Sequence, residues 1–128
     1  MSRTLEQRRA AFALEFIGQQ LRTEEKDKEK LSTHIHKSPS LILQCGLGQA
    51  LAFLLADAGK EPKPSKILYK TLQDWLCGTP DEKHPLRVYS QTELIEALVT
   101  GTRSDYFRAQ EGSLMLFNWL KKFAAAKL

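Results

Sequence analysis

The chain has 128 residues, a formal net charge of +4 and a pI of about 9.1, with 42% hydrophobic and 27% charged residues. That length suits one domain able to bury roughly two-thirds of its unfolded surface, and that balance excludes a disordered chain. The positive excess is thin and even, +2 over residues 1–37, +1 over 38–78 and +1 over 79–128, which permits a polyanionic partner without demanding one.

The N-terminus, MSRTLEQRRAAF, lacks the continuous apolar core of a signal peptide. No stretch reads as a membrane span, so a cytoplasmic location is expected. Cys45 and Cys77 belong to no CxxC pair and lie in apolar helical surroundings. Reduced, buried thiols are the plain reading.

The first helix is expected from about Thr4 into the twenties. Leu5, Phe12 and Phe16 fall near one line of the helical wheel. Ala10, Ala13, Leu14, Ile17 and Leu21 widen that arc, and Arg8, Glu15, Gln19 and Arg22 gather opposite. Thr23–Lys30, TEEKDKEK, reads as a solvated extension of helix laced by i,i+4 pairs and running to Lys37. Pro39 is expected to break it.

A central helix is then expected over residues 39–58, with Ser38 as cap, Pro39 in the first turn and Gly59 closing the end in a left-handed conformation. Its apolar residues go almost all the way round, the pattern of a helix buried on most sides. Gly46 and Gly48 would lie inside it, each costing about 1 kcal/mol relative to Ala, for the close approach of a neighbouring backbone. Phe53 and Trp119 are expected in the core. Residues 60–65 read as a linker with two prolines.

The next helix is expected from about Pro64 to Cys77, with Ile67, Leu68, Leu72, Trp75 and Leu76 on its apolar face and Gly78-Thr79-Pro80 ending it. Residues 81–88 read as loop. Ser90 and Glu93 suggest a capping box for a short helix through Leu94, Ile95, Leu98 and Val99, stopped by Gly101. The last helix is expected from about Ser104 to Leu128, with Leu116, Phe117, Leu120, Phe123 and Ala124 as one stripe and Tyr106, Met115 and Trp119 widening it. No segment alternates long enough to be a strand. The fold expected is all-α, a single domain over residues 1–128 built as a bundle of five or six helices.

No set of side chains makes a convincing active site. His34 and His36 stand two apart, which on a helix points them to different sides, and nothing completes a metal set. Neither cysteine has a partner base in its vicinity in the sequence. Glu93 and Glu96 are explained by capping and solvation. Residues 92–117 resemble a helix-turn-helix in spacing, but the second helix is too apolar to read a DNA groove. A non-enzyme without cofactor or metal is expected.

Two stretches match a known family. SPSLILQCGLGQALAFL, residues 38–54, resembles the signature of the small subunit of the Cmr complex, the type III-B CRISPR RNA-guided effector. The matched residues are Pro39, Leu41, Ile42, Gln44, Gly46, Leu47, Gln49, Leu51, Ala52 and Phe53. DYFRAQEGSLMLFNWLKKFA, residues 105–124, resembles that family's closing helix through Tyr106, Arg108, Glu111, Leu116, Trp119, Leu120, Lys121, Phe123 and Ala124. Cys45 and Gln110 stand where the family pattern has Asn and Thr. The resemblance implies a non-catalytic helical subunit that stacks in copies along the backbone subunits and helps line the guide RNA–target RNA path. Its implied partners are the other complex subunits, further copies of itself, and RNA held weakly without sequence preference. Basic residues able to neutralise RNA phosphates are Arg8 and Arg22, then Lys26, Lys30 and Lys37, and a second group, Lys121, Lys122 and Lys127. A stand-alone helical DNA-binding regulator is the alternative.

Overall fold

The computed structural model describes residues 3–59, 62–79, 84, 86–90 and 92–128, without the side chains of Pro62 and Lys63. They form α1 (Leu5–Gln20), α2 (Glu25–Cys45), α3 (Leu47–Ala58), α4 (Pro62–Cys77), α5 (Leu94–Thr100) and α6 (Arg103–Lys127), with no strand among the described residues. The all-α reading holds, in a single bundle.

Thr4 starts α1 with a capping box. Its hydroxyl accepts from the Gln7 N–H at 3.0 Å, and the Gln7 side chain accepts from the Thr4 N–H at 2.8 Å. Ala13, Phe16 and Ile17 are buried, whereas Leu5, Leu14 and Leu21, expected on the same arc, are exposed. The charged stretch after α1 is not one helical extension. The chain turns at residues 21–24, where the Thr23 hydroxyl donates to the Gln20 carbonyl, and α2 starts anew at Glu25. Lys28 pairs there with Glu25 at 2.9 Å, three residues away, rather than with Glu24 at the i,i+4 spacing expected.

The largest correction falls between α2 and α3. Pro39 does not break the helix; α2 runs through it to Cys45. Ser38 is no cap: its buried hydroxyl donates to the His34 carbonyl at 2.5 Å, a back-bond within the helix. The break comes at Gly46, where φ is +89° and ψ 161°, backbone that essentially only glycine adopts. Two side chains of α6 close the start of α3. The Gln110 Oε1 accepts from the Leu47 N–H, and the Tyr106 hydroxyl oxygen accepts from the Gly48 N–H, both at 2.9 Å. So α3 is not buried on most sides. Leu47, Ala50, Leu51 and Leu54 face the core, while Phe53 and Leu55 are each 39% exposed. Gly59 ends α3 right-handed, with φ −67°.

The helices that organise the bundle are α2 and α6. The last turn of α2 meets the first turns of α6 at the Gly46 joint, and the two then pack along each other, so they run antiparallel. α1 packs on α6, and α3 and α4 pack together on α2. The core of α6 is Ala109, Gly112, Ser113, Leu116, Phe117, Leu120 and Ala124, and Trp119 is half-buried.

α4 takes in the prolines expected in a linker: Pro62 and Pro64 sit in its first turn, where a missing N–H is harmless. Residues 60 and 61 lie outside the described residues, as do 80–83, 85 and 91. α4 ends at Gly78, with φ +78°. Its Leu76 carbonyl accepts from both the Val88 and Tyr89 N–H groups, at 2.7 and 3.0 Å. α4 also caps α5 in place of the capping box expected from Ser90 and Glu93. The Leu94 N–H donates to Gln73 Oε1 at 2.8 Å, and the Ile95 N–H to the Tyr69 hydroxyl oxygen at 3.0 Å. That hydroxyl donates onward to Glu93 at 2.6 Å. Gly101 does end α5, and Thr102 caps α6 by accepting from the Asp105 N–H at 3.1 Å.

Candidate nucleic-acid interface

The antiparallel pairing of α2 and α6 brings two separate basic groups to one end of the bundle. Arg22, Lys26 and Lys30 lie at the turn into α2 and along its first turns. Lys121, Lys122 and Lys127 lie in the last turns of α6. All are exposed except the half-buried Lys121. Lys122 Nζ stands 5.8 Å from the Trp119 ring centroid, within cation–π reach. Acidic residues share this end: Glu24, Glu25, Asp27 and Glu29, against seven Lys and Arg counting Lys28.

Lys37 and Arg8 stand apart from that group. Lys37 Nζ lies 4.7 Å from the Phe53 centroid, covering part of the ring that α3 leaves exposed. Arg8 is half-buried and does not join a solvated face. With Arg3, Glu15 and Gln19 it lines one wall of a groove of about 450 Å³ between α1 and α4. Asp74 and Thr71 line the facing wall. Phe12 and Trp75 form its aromatic part, with centroids 5.1 Å apart, and His84 stacks on Trp75, also at 5.1 Å and 27° between planes. His84 Nε2 lies 3.3 Å from the Asp74 carbonyl oxygen. Burial pushes the Asp74 carboxyl above the ordinary carboxylate range, partly offset by the charge of Lys70. Sequence reasoning missed this groove because its residues come from distant segments and carry no shared spacing.

A second arrangement was equally invisible in the sequence. His34 on α2, Asp57 at the end of α3 and Ser65 in α4 meet in one polar cluster. The Ser65 hydroxyl donates to Asp57 Oδ2, and His34 Nε2 lies 3.1 Å from Ser65 Oγ and 3.2 Å from Asp57 Oδ2. Burial holds the His34 imidazole below its ordinary range, outweighing the opposing pull of Asp57. The Ser65 hydrogen bond, above all, holds the Asp57 carboxyl below its own range. The neutral ring therefore carries its proton on Nε2, and its buried Nδ1 has no hydrogen-bond partner among the described residues. This is not a hydrolytic triad. Serine and aspartate meet the same ring nitrogen, the serine proton already points at the carboxylate, and Ser65 is wholly buried. Its work is to tie three helices together. His36 is exposed and separate, so the two histidines do not converge. Cys45 is exposed, against expectation, because the α2 terminus turns it outward; Cys77 is buried.

The helix-turn-helix spacing does not become a groove reader. α6 buries seven residues between Ala109 and Ala124 against the bundle, so its apolar stripe is core rather than a groove-reading face. Among the described residues, no helix is long and apolar enough to cross a membrane.

The family model described as CRISPR-associated protein (Cas_Cmr5) matches residues 5–127. The chain belongs to the Cas_Cmr5 family. A solved relative agrees: the X-ray crystal structure of a CRISPR-associated Cmr5 family protein from Thermus thermophilus superposes with a TM-score of 0.74. It is 27% identical to this chain, over 98% of this chain and 99% of that one. Cas_Cmr5 membership makes this chain a subunit of a type III-B CRISPR complex, associated with the other Cmr subunits. Within that family frame Gln110, one of the two departures from the expected pattern, has a definite task here as the cap of α3.

Proposed function

We propose that this subunit is structural and non-catalytic, stacks in copies along the backbone subunits, and helps line the path of target RNA paired with guide RNA. The observation that carries the RNA part is the net-basic end built from the α1–α2 turn and the end of α6. Its cations neutralise phosphates without reading sequence. The exposed apolar residues of the α2–α3 region, Leu43, Phe53 and Leu55, support docking on neighbouring protein. In isolation, the mixed charge of the basic end gives a dissociation constant in the weak non-specific range, about 10⁻⁴–10⁻⁶ M at physiological salt. Inside the assembly the same contacts are effectively intramolecular and add to guide-directed binding.

The test is charge reversal. Arg22→Glu, Lys26→Glu, Lys122→Glu and Lys127→Glu together change only exposed positions. Complexes reconstituted with this variant should assemble normally and capture target RNA more weakly. The slope of log affinity against log salt should flatten by up to about 3 units. Unchanged affinity and slope in a normally assembled complex would remove this end from the RNA path. The purified chain with Mg²⁺ or Mn²⁺ should cleave neither RNA nor DNA; turnover that tracks the protein peak would refute the non-catalytic role.

A further inference from the structure

The groove between α1 and α4 has a composition that a phosphate track does not explain. Among the described residues that line it, two cations, Arg3 and Arg8, are matched by two carboxylates, Glu15 and Asp74, so a bare polyanion gains little from them. We propose that this groove binds a guanine nucleotide, either free or as an unpaired guanosine of an RNA strand.

Three features converge on that ligand. The volume, about 450 Å³, lies in the ordinary range of small-molecule sites. Phe12 and His84, both half-buried and packed against the buried Trp75, offer aromatic surface for a flat base. Asp74 presents a carboxylate that is partly withdrawn from water and has no ion-pair partner among the described residues. A carboxylate so placed is satisfied by two adjacent N–H donors. Guanine carries that pair on its N1–H and N2 amino edge. Uracil flanks its one N–H with carbonyl oxygens, and adenine and cytosine set an acceptor beside the amino group. Arg8 and Arg3 then take the phosphate. A partner's arginine side chain also offers paired N–H donors, but it would bring a third cation beside Arg3 and Arg8 and no anion to meet them.

The test uses the intact, isolated chain, so its failure leaves the charge-reversal experiment on the complex unaffected. GMP, AMP, CMP and UMP are titrated while the Trp75 indole N–H resonance is followed, with Trp119, which does not line the groove, as internal reference. GMP should bind saturably at least about tenfold more tightly than the other three, as expected for a paired-donor contact. Asp74→Asn should abolish that preference, and Arg8→Ala should weaken GMP while leaving guanosine unchanged. Both variants should keep the parent's circular dichroism spectrum; if Asp74→Asn does not fold, the Arg8→Ala comparison of GMP with guanosine decides. Inorganic phosphate, which lacks the base, should compete only at concentrations far above those of GMP. A nine-residue oligouridine with one central guanosine distinguishes the sources: binding at least as tight as GMP assigns the site to RNA, and exclusion assigns it to the free nucleotide. No saturable shift of Trp75, or equal affinity for all four nucleotides, overturns the proposal.

Discussion

Gly46→Ala is the sharpest test of the joint between α2 and α3. The backbone there has φ +89° and ψ 161°, a region that costs an L-residue about 1–3 kcal/mol. An added Cβ would stand 3.0 Å from the Tyr106 hydroxyl, which also holds the Gly48 N–H. Moving that tyrosine aside forfeits a hydrogen bond of about 1 kcal/mol. The expected cost is therefore about 2–4 kcal/mol, a fall in Tm of about 8–15 °C for a chain of this size. Gly48 is the control two residues on. It lies within α3, its Cβ would meet the same hydroxyl at 3.4 Å, and helix propensity favours Ala, so Gly48→Ala should stay within about 1 kcal/mol of the parent. Adding Tyr106→Phe to Gly46→Ala should relieve the crowding but not the backbone strain, recovering only part of the loss. Thermal melts and urea midpoints on the four proteins measure this. If Gly46→Ala melts within about 2 °C of the parent, the joint does not have the conformation on which this reasoning rests.

Phe117→Ala, at a fully buried position, should cost about 3–5 kcal/mol in urea denaturation, whereas Phe53→Ala, at 39% exposure, should cost under half as much. Thr4→Ala removes half of the α1 capping box and should cost about 0.5–2 kcal/mol. His34 titrates below its ordinary value in the folded state, so the unfolded chain binds the proton more readily. Stability should therefore fall as pH drops through the ordinary histidine range around 6.5, and His34→Gln should flatten the urea midpoint between pH 7 and 5. A parent whose midpoint does not change over that range would contradict the burial of His34.

The sequence reading was best where local patterning and tertiary packing agree. The stripe of Leu116, Phe117 and Leu120 is core, and Gly101 stops a helix as its position suggests. It failed where two local signals competed. A proline after a serine looks like a helix start, yet Pro39 costs α2 one backbone hydrogen bond, while the Ser38 side chain bonds back within the helix and packing of Leu31, Ile35 and Ile42 holds it straight through. Two glycines looked alike, and only contact with Tyr106 and Gln110, some sixty residues away, makes one a joint and the other helical. Capping of α5 was misread for the same reason, since its caps come from Gln73 and Tyr69 on another helix. The six basic residues at one end were legible as residue types. Their meeting was not, because it depends on α2 and α6 being antiparallel.

The contrast between the two cysteines makes the molecule its own reporter. Cys45 is exposed beside the Gly46 joint, and Cys77 is wholly buried at the end of α4. A maleimide dye should therefore attach to one known point of the native subunit, giving a distance probe within the assembled particle without engineered thiols. The second thiol should react only when α4 opens, so its slow modification reads the free energy of that opening directly.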